Sequence, residues 1–187
     1  MKLKNMILVA MFTSIVAALG ILPPIALPFT PVPITAQTFG VMLAGAILGA
    51  RLGGLSMGLF VLLVGIGVPI LSGGRGGPPS LIGPSGGYIL SWPIAAFIIG
   101  FLVDRYKERL KMWNMVLFNY VGGILFIYLG GITYLSFVSA LSWQEAAISA
   151  LVYIPGDSLK AVVAGVIALQ LRKTAPVARF IKEQKAA

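Results

Sequence analysis

Six apolar stretches separated by short polar or Gly/Pro-rich breaks dominate the chain. They run over residues 6–22, 38–50, 53–70, 88–103, 113–141 and 145–172. Several approach the ~20 residues that a helix needs to cross a ~30 Å hydrocarbon core. The second is short and meets a tight turn at Gly49–Gly54. The fifth carries glycine pairs at 122–123 and 130–131. At ~1.5 Å per residue it is longer than the core requires, so it tilts, bends or protrudes. The pattern predicts one all-α integral membrane domain over 1–187, with six transmembrane helices and a basic cytoplasmic tail over 173–187.

Two connections are irregular. Residues 23–33 hold five prolines and no charge, which predicts an extended connection because proline removes backbone donors and breaks helices. Thr35, Gln37 and Thr38 follow it, either to cap the second helix or to reach into a cavity, with capping the expected use. Residues 72–87 hold seven glycines, three prolines and the single charge Arg75, a composition with little reason to be helical. No G-x-x-x-x-G-K-[ST] occurs here or elsewhere, so ATP binding by this chain is rejected. The glycines instead suit a backbone that approaches a ligand closely.

Composition supports the membrane reading. Hydrophobic residues make up 58% of the chain, charged residues 10%, and the mean hydropathy is +0.98, whereas charged residues make up about a quarter of an ordinary soluble domain. There is no Cys and no His, which removes thiol nucleophiles, histidine bases and most zinc or iron ligation. No metal site and no catalytic constellation is expected.

The net charge of +9 is explained by where the charges lie. With the N-terminus cytoplasmic, six crossings put twelve of the fourteen Lys and Arg on that side. Arg75 alone lies outside, and Lys160 lies within the membrane. This is the positive-inside pattern, and it accounts for the basic balance without nucleic acid. Lys2 and Lys4 before the first apolar run resemble a signal peptide, but the spans that follow favour an uncleaved first helix. One face of that helix carries Ala10, Ser14 and Ala18, a small-residue ladder that admits a neighbouring helix, within the protein or on a partner.

Charge inside the last span is the anomaly. Asp157 and Lys160 sit in the apolar run from Ala146 to Leu171, where an isolated charge costs roughly 2.5–3.5 kcal/mol or more. Their spacing of three puts both on one helical face. Such a pair either neutralises itself or faces a cavity and holds a polar ligand, the latter being the default for intramembrane ionisable groups. Lys160 lies twelve residues before Arg172, roughly 18 Å of helix, so the pair falls in the outer half of the core. Both irregular connections are also external, and together these features predict an outward-facing pocket. Asp157 offers acceptors, Lys160 and Arg75 offer cationic donors, and glycine backbone offers N–H groups. Tyr88 and Trp92, interfacial aromatics by position, offer apolar walls.

At these residues the chain resembles the BioY family, the biotin-binding membrane subunits of energy-coupling-factor (ECF) vitamin transporters. The matching segments are Val32-Pro33-Ile34-Thr35 with Gln37, Leu71-Ser72-Gly73-Gly74-Arg75-Gly76-Gly77, Gly83-Pro84-Ser85-Gly86-Gly87-Tyr88, and Ile154-Pro155-Gly156-Asp157 with Lys160. The resemblance implies a six-helix S component in a prokaryotic cytoplasmic membrane, with both termini cytoplasmic. It implies capture of biotin from outside, a membrane coupling subunit and two cytoplasmic ATPases as partners, and no resident cofactor. Asp157 and Lys160 become the leading biotin contacts, with Arg75, Tyr88, Gly86, Gly87, Gln37 and Thr35 behind them. Which end of biotin each contacts stays open. The Ala10–Ser14–Ala18 face becomes the docking surface for the coupling subunit, with Ser14 where the class has alanine.

Three other readings compete. A stand-alone, ion-coupled transporter of biotin or another vitamin would use Asp157 as a proton relay, against which Lys160 holds the carboxylate ionised. An intramembrane Ser–Lys enzyme would need Ser158 and Lys160, but a spacing of two points them to different faces. A purely structural ion pair would survive replacement of both partners by apolar residues.

Overall fold

The computed structural model describes residues 3–174. The basic tail beyond Thr174 and the Lys2 charge lie outside the described residues. Helices α1 (Leu3–Leu19), α2 (Gln37–Leu48), α3 (Ala50–Gly65) and α5 (Gly86–Arg105) form the first four long elements. The fifth comprises α6 (Met112–Tyr120) and α7 (Ile127–Val138), joined by a π-helical turn over Val121–Phe126. The sixth joins α8 (Trp143–Ala150) to α9 (Ile154–Lys173) through a 3-10 turn at Leu151–Tyr153. α1 starts three residues before the run that hydropathy outlines, and α3 starts three before and ends five before. Three elements are long and apolar enough to cross a membrane: Gly86–Arg105, Met112–Val138 and Trp143–Lys173. The other three are shorter apolar helices.

The chain is an all-α integral membrane protein, and its side chains show it. On α5 the exposed residues Leu90, Ile94, Phe97 and Phe101 recur at helical spacing, while Ile89, Trp92, Ala96, Ile99 and Val103 of the same helix are buried. A helix that is apolar on both faces belongs in lipid, where the outward face needs no polar cover. Trp113 and Trp143 stand exposed at the starts of the last two elements, as interfacial aromatics do.

Both irregular connections have more structure than composition suggests. Within the proline-rich segment, β1 (Ile25–Leu27) and β2 (Thr30–Ile34) pair antiparallel, Ile25 opposite Ile34 and Leu27 opposite Thr30. In the glycine-rich segment, Leu71 and Arg75 exchange backbone hydrogen bonds of 3.0 and 3.3 Å. Gly73 and Gly74 turn the chain between them with φ of 79° and 67°, values that glycine adopts without a Cβ clash. Contrary to the expectation of no helix there, α4 (Pro78–Ile82) forms one short turn, started by proline, which suits the first helical position.

Packing places α2 at the centre, against α1, α3, α5 and α9, while α5 also packs on α3 and α7. Only Gly49, at φ 80°, separates α2 from α3. The helix ends at this break are satisfied by side chains. The Arg172 guanidinium donates to Ala46 O at 2.8 Å, and Asp104 Oδ2 accepts from Ala50 N at 2.9 Å. A cation thus meets the carbonyl end of α2 and an anion the amide end of α3, the favourable sense for both helix dipoles. Arg172 and Asp104 themselves approach to 3.8 Å.

Candidate binding site

The first turn of α9 carries Asp157, and Lys160 follows one turn later. Lys160 Nζ lies 2.7 Å from Asp157 Oδ1. Nζ also donates to Thr35 O at 2.7 Å and Thr38 Oγ1 at 3.1 Å, so all three ammonium protons are engaged. Thr38 donates in turn to Asp157 Oδ1 at 3.2 Å. From α7, the Tyr128 hydroxyl donates to Asp157 Oδ2 at 2.8 Å. The charge pair is therefore both a tie between α2, α7 and α9 and part of the lining of a cavity.

That cavity encloses about 590 Å³ between atoms, its open mouth included. Asp157, Lys160 and Tyr128 line it together with Val32 and Thr35 of the hairpin side, Arg75 and Ser85 of the glycine-rich connection, and Tyr88 and Trp92 of α5. The rings of Tyr88, Tyr128 and Tyr153 stand edge to face, with centroids 6.4–6.5 Å apart in all three pairs. Tyr153 donates to Val32 O at 2.6 Å and meets Thr30 Oγ1 at 2.7 Å, which pins the hairpin over the site. Two buried donors of the lining, Tyr88 OH and Trp92 Nε1, have no hydrogen-bond partner among the described residues. Unpaired buried donors are costly, and a polar ligand would satisfy them. Arg75 uses only Nε, donated to Ser72 O at 3.2 Å. Its terminal nitrogens have no partner among the described residues.

The structure sorts the residues singled out above. Asp157, Lys160, Arg75, Tyr88, Thr35 and Gln37 all border the cavity. Thr35 contributes a carbonyl to Lys160. The caps expected at the start of α2 are absent: the Gln37 and Thr38 side chains have tertiary partners instead. Gln37 Nε2 donates to Val16 O and Ile70 O at 3.0 and 2.9 Å, and its Oε1 accepts from Ser72 N at 3.0 Å. Its polar atoms thus fasten the glycine-rich connection to α1 and α2. Gly86 and Gly87 are buried at the start of α5 but are not among the lining residues. A Cβ at Gly86 would overlap Leu81 O, and one at Gly87 would overlap Tyr134. Their close approaches are to protein backbone and side chains. Tyr88 and Trp92 are buried at 8% and 3% exposure, inside the site instead of at the membrane interface. Ala10, Ser14 and Ala18 are exposed along one side of α1, opposite Val9, Phe12 and Val16 in the core.

Sequence reasoning missed Tyr128 and Tyr153. Tyr153 lies four residues before Asp157, on the same helical face, and that spacing is the signal that could have found it. Tyr128 is a tyrosine in the middle of an apolar span, away from both interfaces where tyrosine is usual.

A bundle of lipid-facing helices around a partly open cavity, mainly apolar with a few convergent polar groups, defines a polytopic membrane protein built to receive a small amphipathic solute. The chain belongs to the BioY family, whose family model matches residues 1–177. It is 43% identical over 172 residues to a Rhizobium etli protein named biotin transporter BioY, covering 89% of this chain and 92% of the relative. It is 42% identical over 171 residues to a probable biotin transporter BioY of Bacillus subtilis, covering 91% of each. Among solved structures, the S-component for biotin from an ECF-type ABC transporter superposes with a TM-score of 0.89 at 39% identity, covering 93% of both chains.

Proposed function

We propose that the chain binds biotin from the outer side of a prokaryotic cytoplasmic membrane and imports it as the S component of an ECF transporter, with both termini cytoplasmic. The observation that carries this reading is the division of charge in the pocket. Lys160 is fully engaged by Asp157, Thr35 and Thr38, so it balances Asp157 and is not free for a ligand anion. Asp157 accepts from Lys160, Thr38 and Tyr128 and, with about four lone-pair sites, keeps room for one ureido N–H. Arg75 is then the uncommitted cation for the valerate carboxylate. The tyrosine cluster and Trp92 surround the fused rings between these ends.

Supporting the orientation, Arg51, Arg105, Lys107, Arg109, Lys111, Arg172 and Lys173 fall on the side opposite the pocket, as cytoplasmic basic residues do. Without a nucleotide-binding loop of its own, the chain takes its energy from partner ATPases and meets their membrane subunit along Ala10, Ser14 and Ala18.

The test is calorimetric titration of detergent-solubilised protein with biotin, beside Asp157→Asn. Saturable binding by the wild type that is lost or weakened at least tenfold in the variant is expected. Absence of binding by folded wild-type protein would overturn the reading.

A further inference from the structure

Gly131 lies on α7, is buried, and is not among the residues that line the cavity. A Cβ placed on it would overlap three atoms of the Tyr88 ring. We infer that Gly131 is a positioning residue for the pocket: its missing side chain is the space in which the Tyr88 ring stands, and so it fixes where that wall of the site lies.

Three observations make the ring dependent on this gap. Tyr88 OH has no hydrogen-bond partner among the described residues, so packing holds the ring. Its other aromatic neighbours, Tyr128 and Tyr153, meet it edge to face at 71° and 84° and are themselves tied to Asp157 and the hairpin. A ring pushed off Gly131 therefore moves against fixed neighbours or into the cavity. Close glycine contacts recur along this seam, since a Cβ at Gly130 would overlap Ser91 and one at Gly87 would overlap Tyr134. Of these contacts only the one at Gly131 bears on a ring that lines the site. Overpacking of this kind forces side chains off their rotamers and shifts backbone, and here the side chain that meets the added methyl is the Tyr88 ring. On α7, Tyr128 and Gly131 are three residues apart and share a face, so one helix gives Asp157 its hydroxyl and Tyr88 its room.

The inference rests on the reading of the cavity as a biotin site, and the experiment separates the two. Biotin is titrated into wild type, Gly131→Ala, Tyr88→Leu and the double variant, and the thermal midpoint of each is measured without ligand. Gly131→Ala is expected to weaken biotin at least tenfold, and to change the affinity less than twofold when Tyr88 is already leucine. Equal losses in both backgrounds, or no loss in either, would overturn the inference, since interacting sites are recognised by non-additivity. If Gly131→Ala does not fold, recovery of folding in the double variant supports the inference. Failure of the double variant while Tyr88→Leu alone folds overturns it. If the wild type binds no biotin, the biotin reading falls, and the midpoints decide by the same comparison whether Gly131 acts through Tyr88.

Discussion

Tyr128 reaches from α7 to α9 and places its hydroxyl 2.8 Å from Asp157 Oδ2, while Lys160 and Thr38 hold the other carboxylate oxygen. The carboxylate is thus oriented from two sides, with its free lone pair directed by three donors. Tyr128→Phe removes one of them without changing the ring. A hydrogen bond to a charged group contributes about 1.5–3 kcal/mol, so biotin affinity is expected to fall roughly ten- to hundredfold in calorimetry. An unchanged affinity would show that the hydroxyl serves only the fold.

Removing one member of the ion pair differs from removing both. Lys160→Met leaves Asp157 buried without its counter-charge, at a cost of about 3–5 kcal/mol, and the thermal midpoint is expected to drop. Asp157→Leu combined with Lys160→Met replaces the pair by apolar bulk, so the midpoint should recover while biotin binding stays lost. Binding retained in the double variant would make the pair purely structural.

Arg75 discriminates the two ends of the ligand. Arg75→Ala is expected to weaken biotin at least tenfold but to leave the affinity for biotin methyl ester within about twofold, because the ester lacks the anion that the guanidinium meets. Equal losses for both ligands would place the carboxylate elsewhere.

Gln37 makes its contribution through the fold. Gln37→Leu leaves Ser72 N and Ile70 O without their partner, each worth about 1–3 kcal/mol when buried and unpaired, and takes one of two donors from Val16 O, which keeps Gly20 N. Faster amide exchange across 71–75 is expected, together with a lower thermal midpoint. Exchange unchanged in that turn would show that the glycine-rich connection is held by other contacts.

Arg172 provides the contrast. Arg172→Ala frees the last carbonyls of α2 and leaves Asp104 facing the Gly49 break alone. The midpoint is expected to fall while biotin affinity stays within about threefold, since the residue sits at the end remote from the pocket.

Much of this arrangement was legible in the sequence because membrane burial makes charge conspicuous. Asp157 and Lys160 stood out in an apolar run, and their spacing fixed a shared face. Arg75 stood out as the single charge of the glycine-rich connection. Tyr128 was hidden for a physical reason: the π turn at Val121–Phe126 shifts the face of every later residue, so helical phase counted from Trp113 does not show where Tyr128 points. Gln37 and Thr38 were misjudged because helix starts favour local caps, while their partners lie 21–122 residues away in the chain. The glycines at 86 and 87 were read as bringing backbone close to a ligand, whereas what they approach is Leu81 and Tyr134, which a glycine in a sequence does not reveal.

The engagement of Lys160 has an electrical consequence. Asp157 and Lys160 already form a balanced pair, and in the proposed binding mode the ligand's single anion is matched by Arg75. The guanidinium alone would then lack a counter-charge in the empty state, and the loaded site would carry no net charge through the hydrocarbon. A displaced elementary charge responds to the membrane potential by about 2.3 kcal/mol per 100 mV, and a neutral cargo assembly escapes that term. Biotin release to the inner side should therefore proceed at the same rate whether the bilayer is polarised or not.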